Sequence, residues 1–174
     1  VKLYEPGALT LVVQAGTSVA EIEALLAGER QRLAFEVPDL RGLLGRTGQS
    51  TIGGVVAANA SGPRRVQVGA CRDSLLGVRF VDGTGLVVKN GGRVMKNVTG
   101  YDLSKGLAGS WGTLAVLTQV TFKVLPAAEK EQTLVLRGLD DAQASAAMSL
   151  AMGSNAEVSS AAHLPVTVTG KVIG

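Results

Sequence analysis

Few of the residues that usually announce chemistry are present. The 174-residue chain has one cysteine, Cys71, and one histidine, His163, and only 3% of it is aromatic. A single cysteine closes no internal disulfide, so nothing requires an oxidising compartment. Cys71 is expected to be a small buried hydrophobe. One cysteine and one histidine without paired spacing cannot complete a tetrahedral metal site, and no metal is expected. His163 is expected to be structural. Scarce aromatics and the absence of a long basic stripe argue against a nucleic-acid surface, although Arg64, Arg65 and Arg72 gather positive charge locally and suggest an anion. No apolar run is long enough for a membrane helix, and the opening VKLYEPGALT has no secretory pattern, so the default compartment is cytoplasmic. Neither a G-x-G-x-x-G nor a G-x-x-x-x-G-K-[ST] motif occurs at a strand-to-helix junction, which removes the Rossmann fingerprint and the P-loop.

Glycine is abundant instead. There are 23, most of them between Gly42 and Gly112, set among Val, Leu, Ile and Ala rather than in a low-complexity tract. Such density means either a β-rich domain with many tight turns or a loop system that admits a large ligand close to the backbone.

The coarse pattern is α+β. Leu9 to Ala15 reads as a strand, and Ser18 with Glu21 opens a helix that places Val19, Ile22, Leu25 and Leu26 on one face. Val78–Val81 and Leu86–Lys89 flank Asp82-Gly83-Thr84-Gly85 as a β-hairpin. Leu114 to Val124 alternates, with Leu114, Val116, Val120, Phe122 and Val124 on one side. A polar connection after Pro126 leads to a strand at Thr133–Leu136 and a helix from about Asp140 to Met152. The boundary between two domains is expected near residue 127.

Four segments in order carry a resemblance: TIGGVVAANASGPRR, VGACRDS, GGRVMKNVTGYDLSK and GSWGTLAV. Together they resemble the flavin domain of the vanillyl-alcohol-oxidase (PCMH-type) FAD-binding family. Within that family, SGPRR and GGRVMKNVTGYDLSK are similar to glycolate oxidase E subunits. The resemblance is close from Phe35 to Pro126 and loose over the thirty or so residues before. It implies FAD as cofactor, bound through Thr51, Gly53, Gly54 and Val55, through the polar bend Asn59, Ser61 and Gly62, and through Gly69, Ala70, Arg72 and Asp73 alongside the flavin. Gly112 and Val116 are implied at the adenine.

Physical reasons accompany these positions. Gly53 and Gly54 would remove Cβ atoms from the cofactor's path, and the following turn, Val55 to Asn59, would aim its amides at negative charge. The competing reading is a helix packed closely on a strand. Arg72 could equally serve a structural pair with Asp73. Lys96, Asn97, Gly100 and Tyr101 are expected in structural roles, with Asp102 as a helix cap. Ile52, Val55, Val56 and Ala57 are expected to line an apolar flavin face. Trp111 departs from the acidic residue of many relatives.

The resemblance also implies an organisation. Residues 1–126 would be an FAD-binding domain lacking its N-terminal lobe, because nothing before Leu9 supplies one, and residues 127–174 would begin a cap domain. The implied activity is oxidation of glycolate to glyoxylate by hydride transfer to flavin. It would occur in a complex with a catalytic flavoprotein subunit and an iron–sulfur subunit, peripheral at the inner membrane. No residue of the chain is assigned as the catalytic base. A self-sufficient D-2-hydroxyacid dehydrogenase and a non-catalytic scaffold subunit are the other two readings.

Overall fold

The computed structural model describes residues 1–93, 100–165 and 167. Contacts divide the chain into two units, Val1–Ala127 and Ala128–Gly174.

The first unit is built around one long strand. Six strands are described: β1 (Leu3–Glu5), β2 (Thr10–Gln14), β3 (Gln31–Leu33), β4 (Leu75–Val81), β5 (Val87–Gly91) and β6 (Val116–Pro126). They form an antiparallel sheet in the order β1-β2-β6-β4-β5, with β3 also paired to β6. Strand β6 therefore has β2 and β3 as partners along with β4, and it can bury both its faces in part. Val120, Phe122 and Val124 are wholly buried, and Thr121 on the other face is buried as well.

Strict alternation along β6 stops at Thr118. The register shifts there, between the Arg79 and Phe80 pairings of β4, and the Thr118 hydroxyl donates to the Arg79 carbonyl at 3.0 Å. An extra residue reverses which side chains face inward. Leu117 consequently packs on the core, whereas Val116 and Leu114, expected on the buried side, are about two-thirds exposed at 66% and 64%.

Helices close one side of the sheet. Helix α1 (Val19–Gly28) starts where the sequence signals it: the Ser18 hydroxyl accepts from the Glu21 amide at 3.2 Å, and Val19, Ile22 and Leu26 are buried. Four one- to two-turn helices follow: α2 (Arg41–Leu44), α3 (Ile52–Ala58), α4 (Arg65–Val68) and α5 (Cys71–Ser74). A fifth, α6 (Leu103–Leu107), precedes β6. Ile52, Val55 and Val56 of α3 lie in the same core as Leu11, Val13, Ile22 and Phe122, and Phe35 meets Phe122 with ring centroids 5.4 Å apart. The apolar flavin face expected from Ile52, Val55, Val56 and Ala57 is thus corrected. A helix on a sheet turns its largest apolar side chains toward the sheet, and only Ala57 remains half-buried at the surface.

The hairpin expectation fits. Asp82 organises the β4–β5 loop, its Oδ1 accepting from the Thr84 amide at 2.8 Å, the Thr84 hydroxyl at 2.6 Å and the Leu86 amide at 3.0 Å. Both strands run further from the turn than the sequence pattern marks.

In the second unit, helix α7 (Asp141–Met152) carries a reciprocal cap. The Asp140 carboxylate accepts from the Gln143 amide at 2.8 Å, and the Gln143 side chain accepts from the Asp140 amide at 3.1 Å. His163 pairs with Asp141 at 2.8 Å. The strand expected at Thr133–Leu136 does not form: these residues have no regular structure, and Leu134, Val135 and Leu136 are exposed. β-propensity alone cannot hold a strand that has no neighbour to hydrogen-bond. The run Val166 to Ile173 also reads from its sequence as a strand, and it lies outside the described residues apart from residue 167. Among the described residues no helix is long and apolar enough to cross a membrane.

Candidate functional site

A cleft of about 370 Å³ opens where the end of β2, helix α3 and the start of β6 meet. Ala15 and Gly16 line it from the β2–α1 loop, and Thr51, Gly53, Gly54 and Ala57 from α3 and its cap. Ser110 and Gly112 come from the loop before β6, and Ala115, Val116 and Leu117 from the approach to that strand and its first residues. Five residues expected at the cofactor, Thr51, Gly53, Gly54, Gly112 and Val116, are brought together here. The lining holds no charged side chain. It offers small apolar groups, two hydroxyls and exposed backbone, which suits an uncharged, flat portion of a ligand.

Helix α3 is placed by its first turn. Thr51 caps it, its hydroxyl accepting from the Gly54 amide at 3.4 Å. The Ile52 amide donates to the Thr17 carbonyl at 2.9 Å and the Gly53 amide to the Ala15 carbonyl at 2.8 Å. The helix thus begins at Ile52, ahead of the two glycines. The turn Val55 to Asn59, expected to aim its amides at negative charge, lies inside and at the end of the helix, and the amides at its true start, those of Ile52 and Gly53, are committed to the β2–α1 loop. At its other end the Val56 and Ala57 carbonyls accept from Gly109 and Trp111 amides at 3.0 and 2.8 Å, which docks the Gly109–Gly112 loop beside the cleft. Trp111 itself is 76% exposed and holds a left-handed backbone, φ 56°.

The two glycines differ. A Cβ on Gly53 would sit 2.7 Å from the Ala15 Cβ and 2.9 Å from its carbonyl oxygen, so Gly53 is required by the packing of α3 on β2. A Cβ on Gly54, which lines the cleft, would meet only the Thr51 hydroxyl, at a close 3.3 Å, and no backbone atom. Glycine inside a helix costs about 0.5–1 kcal/mol relative to alanine, and at Gly54 the one close neighbour is a side-chain hydroxyl rather than the backbone that confines Gly53.

Val55 is a correction. Expected as a cofactor contact, it is only 5% exposed in the core, and its amide is bonded to the Thr51 carbonyl at 3.1 Å. Helical spacing turns it about 100° from Gly54, onto the buried side of α3.

The remaining expected contacts form a second cluster around α5. Asn59 ends α3 in the left-handed region, and its Oδ1 accepts from the Arg72 amide at 3.0 Å. The Ser61 hydroxyl accepts from the Cys71 amide at 2.9 Å and donates to the Asn59 carbonyl at 3.1 Å. Asp73 Oδ2 accepts from the Ala70 amide at 2.7 Å and fills the space beside Gly69. Gly62 packs against the Glu36 side chain, and its amide donates to the Glu36 carbonyl at 2.9 Å. Asn59, Ser61 and Asp73 thus spend side-chain hydrogen bonds on the start of α5, while the Arg72 side chain is exposed. Gly100 and Tyr101 flank α6, whose cap is Asp102 as expected, accepting from the Lys105 amide at 3.2 Å. Lys96 and Asn97 lie outside the described residues.

Two residues missed by sequence reasoning matter here. Glu36 accepts from the Arg64 amide at 3.1 Å, and Lys105 donates through Nζ to the carbonyls of Arg72 and of Leu75, the latter at 3.0 Å. No local motif signals contacts across nearly thirty residues or more. Burial pushes the Cys71 thiol up to about 12, against the pull of the Lys105 charge, so it is no nucleophile near neutral pH. Among the described residues no group of three or more His, Cys, Asp or Glu could hold a metal ion.

A family model described as an FAD binding domain matches residues 1–91. The chain is 43% identical over 123 residues to glycolate oxidase subunit GlcE of Escherichia coli (strain K12), covering 71% of this chain and 33% of that protein. It is 35% identical over 127 residues to glycolate oxidase subunit GlcD of Bacillus subtilis (strain 168), covering 73% and 26%. It is 41% identical over 87 residues to a D-lactate dehydrogenase of Anaerostipes hadrus, covering 50% and 18%. The chain spans a third or less of the length of these relatives. A solved structure of alkyldihydroxyacetonephosphate synthase shares the fold at a TM-score of 0.58 and 24% identity, covering 75% of this chain and 22% of that one. The family match, over a sheet and cleft of the kind just described, shows that this chain belongs to the PCMH-type FAD-binding domain family, with FAD as its cofactor.

Proposed function

We propose that the chain is part of the FAD-binding subunit of a glycolate-oxidising complex, corresponding to the E subunit. Its identity of 43% over 123 residues with a GlcE subunit supports that assignment, and the GlcD relative supports an oxidoreductase of several subunits. Gly54 is the single observation that carries cofactor binding to a place. It is a helical glycine that no backbone neighbour confines, in the lining of a cleft without charge.

In this reading Thr51, Gly53, Gly54, Gly112 and Val116, with Ala15, Gly16, Ala57 and Ser110, hold one portion of FAD. Asn59, Ser61, Gly62, Gly69, Ala70, Arg72 and Asp73 shape the loop along a further portion. A cleft of about 370 Å³ is at the small end of the roughly 300–1,000 Å³ typical of ligand sites, so a cofactor as long as FAD extends beyond it. The chain then supplies the second of two flavin-binding lobes, and residues 127–174 open a cap domain. FAD, when bound, would supply the two-electron oxidant for conversion of glycolate to glyoxylate, in which the α-carbon loses a hydride and the hydroxyl loses its proton to a base outside this cleft. The chain's own part is to bind and orient, because the cleft lining includes no titratable side chain. The partners would be a catalytic flavoprotein subunit and an iron–sulfur subunit, in a cytoplasmic assembly peripheral at the inner membrane.

The test is flavin content and anaerobic bleaching of the flavin by glycolate, in the full-length subunit alone and with its partners. Bound FAD in the subunit, with bleaching once the complex is assembled, is the expected result. A full-length subunit that binds no FAD, or one that is reduced alone by D-lactate but not by glycolate in complex, would overturn the proposal.

A further inference from the structure

We infer that Lys105 is a positioning residue for the segment Gly69–Asp73, an inference that rests on the reading above that this segment runs along the flavin. Helix α5 is a single turn, far too short to hold its shape unaided. Its start is held by three side chains: Asn59 on the Arg72 amide, Ser61 on the Cys71 amide and Asp73 on the Ala70 amide. Its end is held by one. The Lys105 ammonium donates to the carbonyls of Arg72 and Leu75, where the helix dipole favours a positive charge and where the donor is charge-assisted.

The peptide units on both sides of Arg72 are therefore clamped, its amide by Asn59 and its carbonyl by Lys105, while its guanidinium stands exposed. The direction in which Arg72 leaves the backbone depends on that pair.

Lys105 is itself well anchored. Asp102 caps α6 through the Lys105 amide, Ser104 and Leu107 are buried, and Asn90 of β5 ties the helix start by bonds to the Tyr101 carbonyl at 3.0 Å and the Leu103 amide at 2.9 Å. The lysine thus transfers the rigidity of the sheet, through α6, to the loop that carries Arg72.

The experiment compares Lys105→Met, Lys105→Arg and Arg72→Ala in the full-length protein. FAD affinity, the visible circular dichroism of bound flavin at saturating FAD, and the thermal midpoint without FAD are measured. Lys105→Met is expected to weaken FAD binding about tenfold and to change the flavin spectrum, as loss of a charge-assisted bond implies. Lys105→Arg, which can donate to two carbonyls, is expected to restore both. Should Lys105→Met not fold, Lys105→Gln, with an amide donor for one carbonyl, is read in the same way. A lowered midpoint with wild-type affinity and spectrum in the lysine variants, while Arg72→Ala alters them, would make Lys105 merely structural and leave the flavin reading standing. If Arg72→Ala also leaves affinity and spectrum unchanged, the segment does not meet the flavin, and the role of Lys105 falls with that reading.

Discussion

Gly53 and Gly54 are neighbours of one type, and their sequence context treats them alike. The fold does not. Gly53 is pressed against the Ala15 backbone, so Gly53→Ala must separate α3 from β2 and is expected to cost roughly 1–3 kcal/mol, the usual penalty of overpacking. Denaturant unfolding measures it. Cys71 gives a second prediction at this scale. Its ordinary value of 9.0 is raised to about 12 mainly by burial, so the folded state keeps the proton that the unfolded chain releases. The stability from this group is complete below pH 9 and is lost as pH rises from there toward 12. Stability measured between neutral pH and about pH 10 should fall less steeply in Cys71→Ala than in the parent protein. An equal slope would mean that the thiol is not held in an apolar site. A buried cysteine was legible in the sequence, but the influence of the Lys105 charge on it was not, because that lysine comes from a different helix.

Elements with local signals were read well, and those that depend on distant partners were not. Helices α1 and α7 carry their capping residues in sequence, at Ser18 and Asp140, and the β4–β5 hairpin carries its turn at Asp82–Gly85. The stretch Thr133–Leu136 has the composition of a strand but no paired neighbour, and the bulge at Thr118 is visible only once β4 is laid beside β6. Helix α5 shows the same dependence in reverse, since its start relies on the Ser61 hydroxyl, ten residues earlier in the chain. Ser61→Ala leaves the Cys71 amide of a buried residue without that acceptor and is expected to destabilise by about 1–3 kcal/mol. Ser61→Thr, which keeps the hydroxyl, should recover most of it. Loss of stability of the same size in both variants would show that packing rather than the hydrogen bond is at stake.

At the scale of the whole molecule, the resemblance named five residues that the fold brings to one cleft and that residue chemistry alone could not have joined. No charged pair, metal cluster or nucleotide motif marks the cleft; what marks it is small residues drawn from three separate stretches, near Ala15, Thr51 and Gly112. Spacing cannot join such stretches, whereas the antiparallel pairing of β2 and β6 does, with α3 laid over their ends. In the proposed function this cleft holds FAD, and Gly54 is bare because the cofactor lies there. FAD titration of full-length Gly54→Val, followed by flavin fluorescence, tests it most directly. Binding is expected to weaken at least about tenfold, a loss of about 1.4 kcal/mol or more, with an unfolding midpoint without FAD close to that of the parent protein. Unchanged FAD affinity in a folded Gly54→Val protein would contradict it.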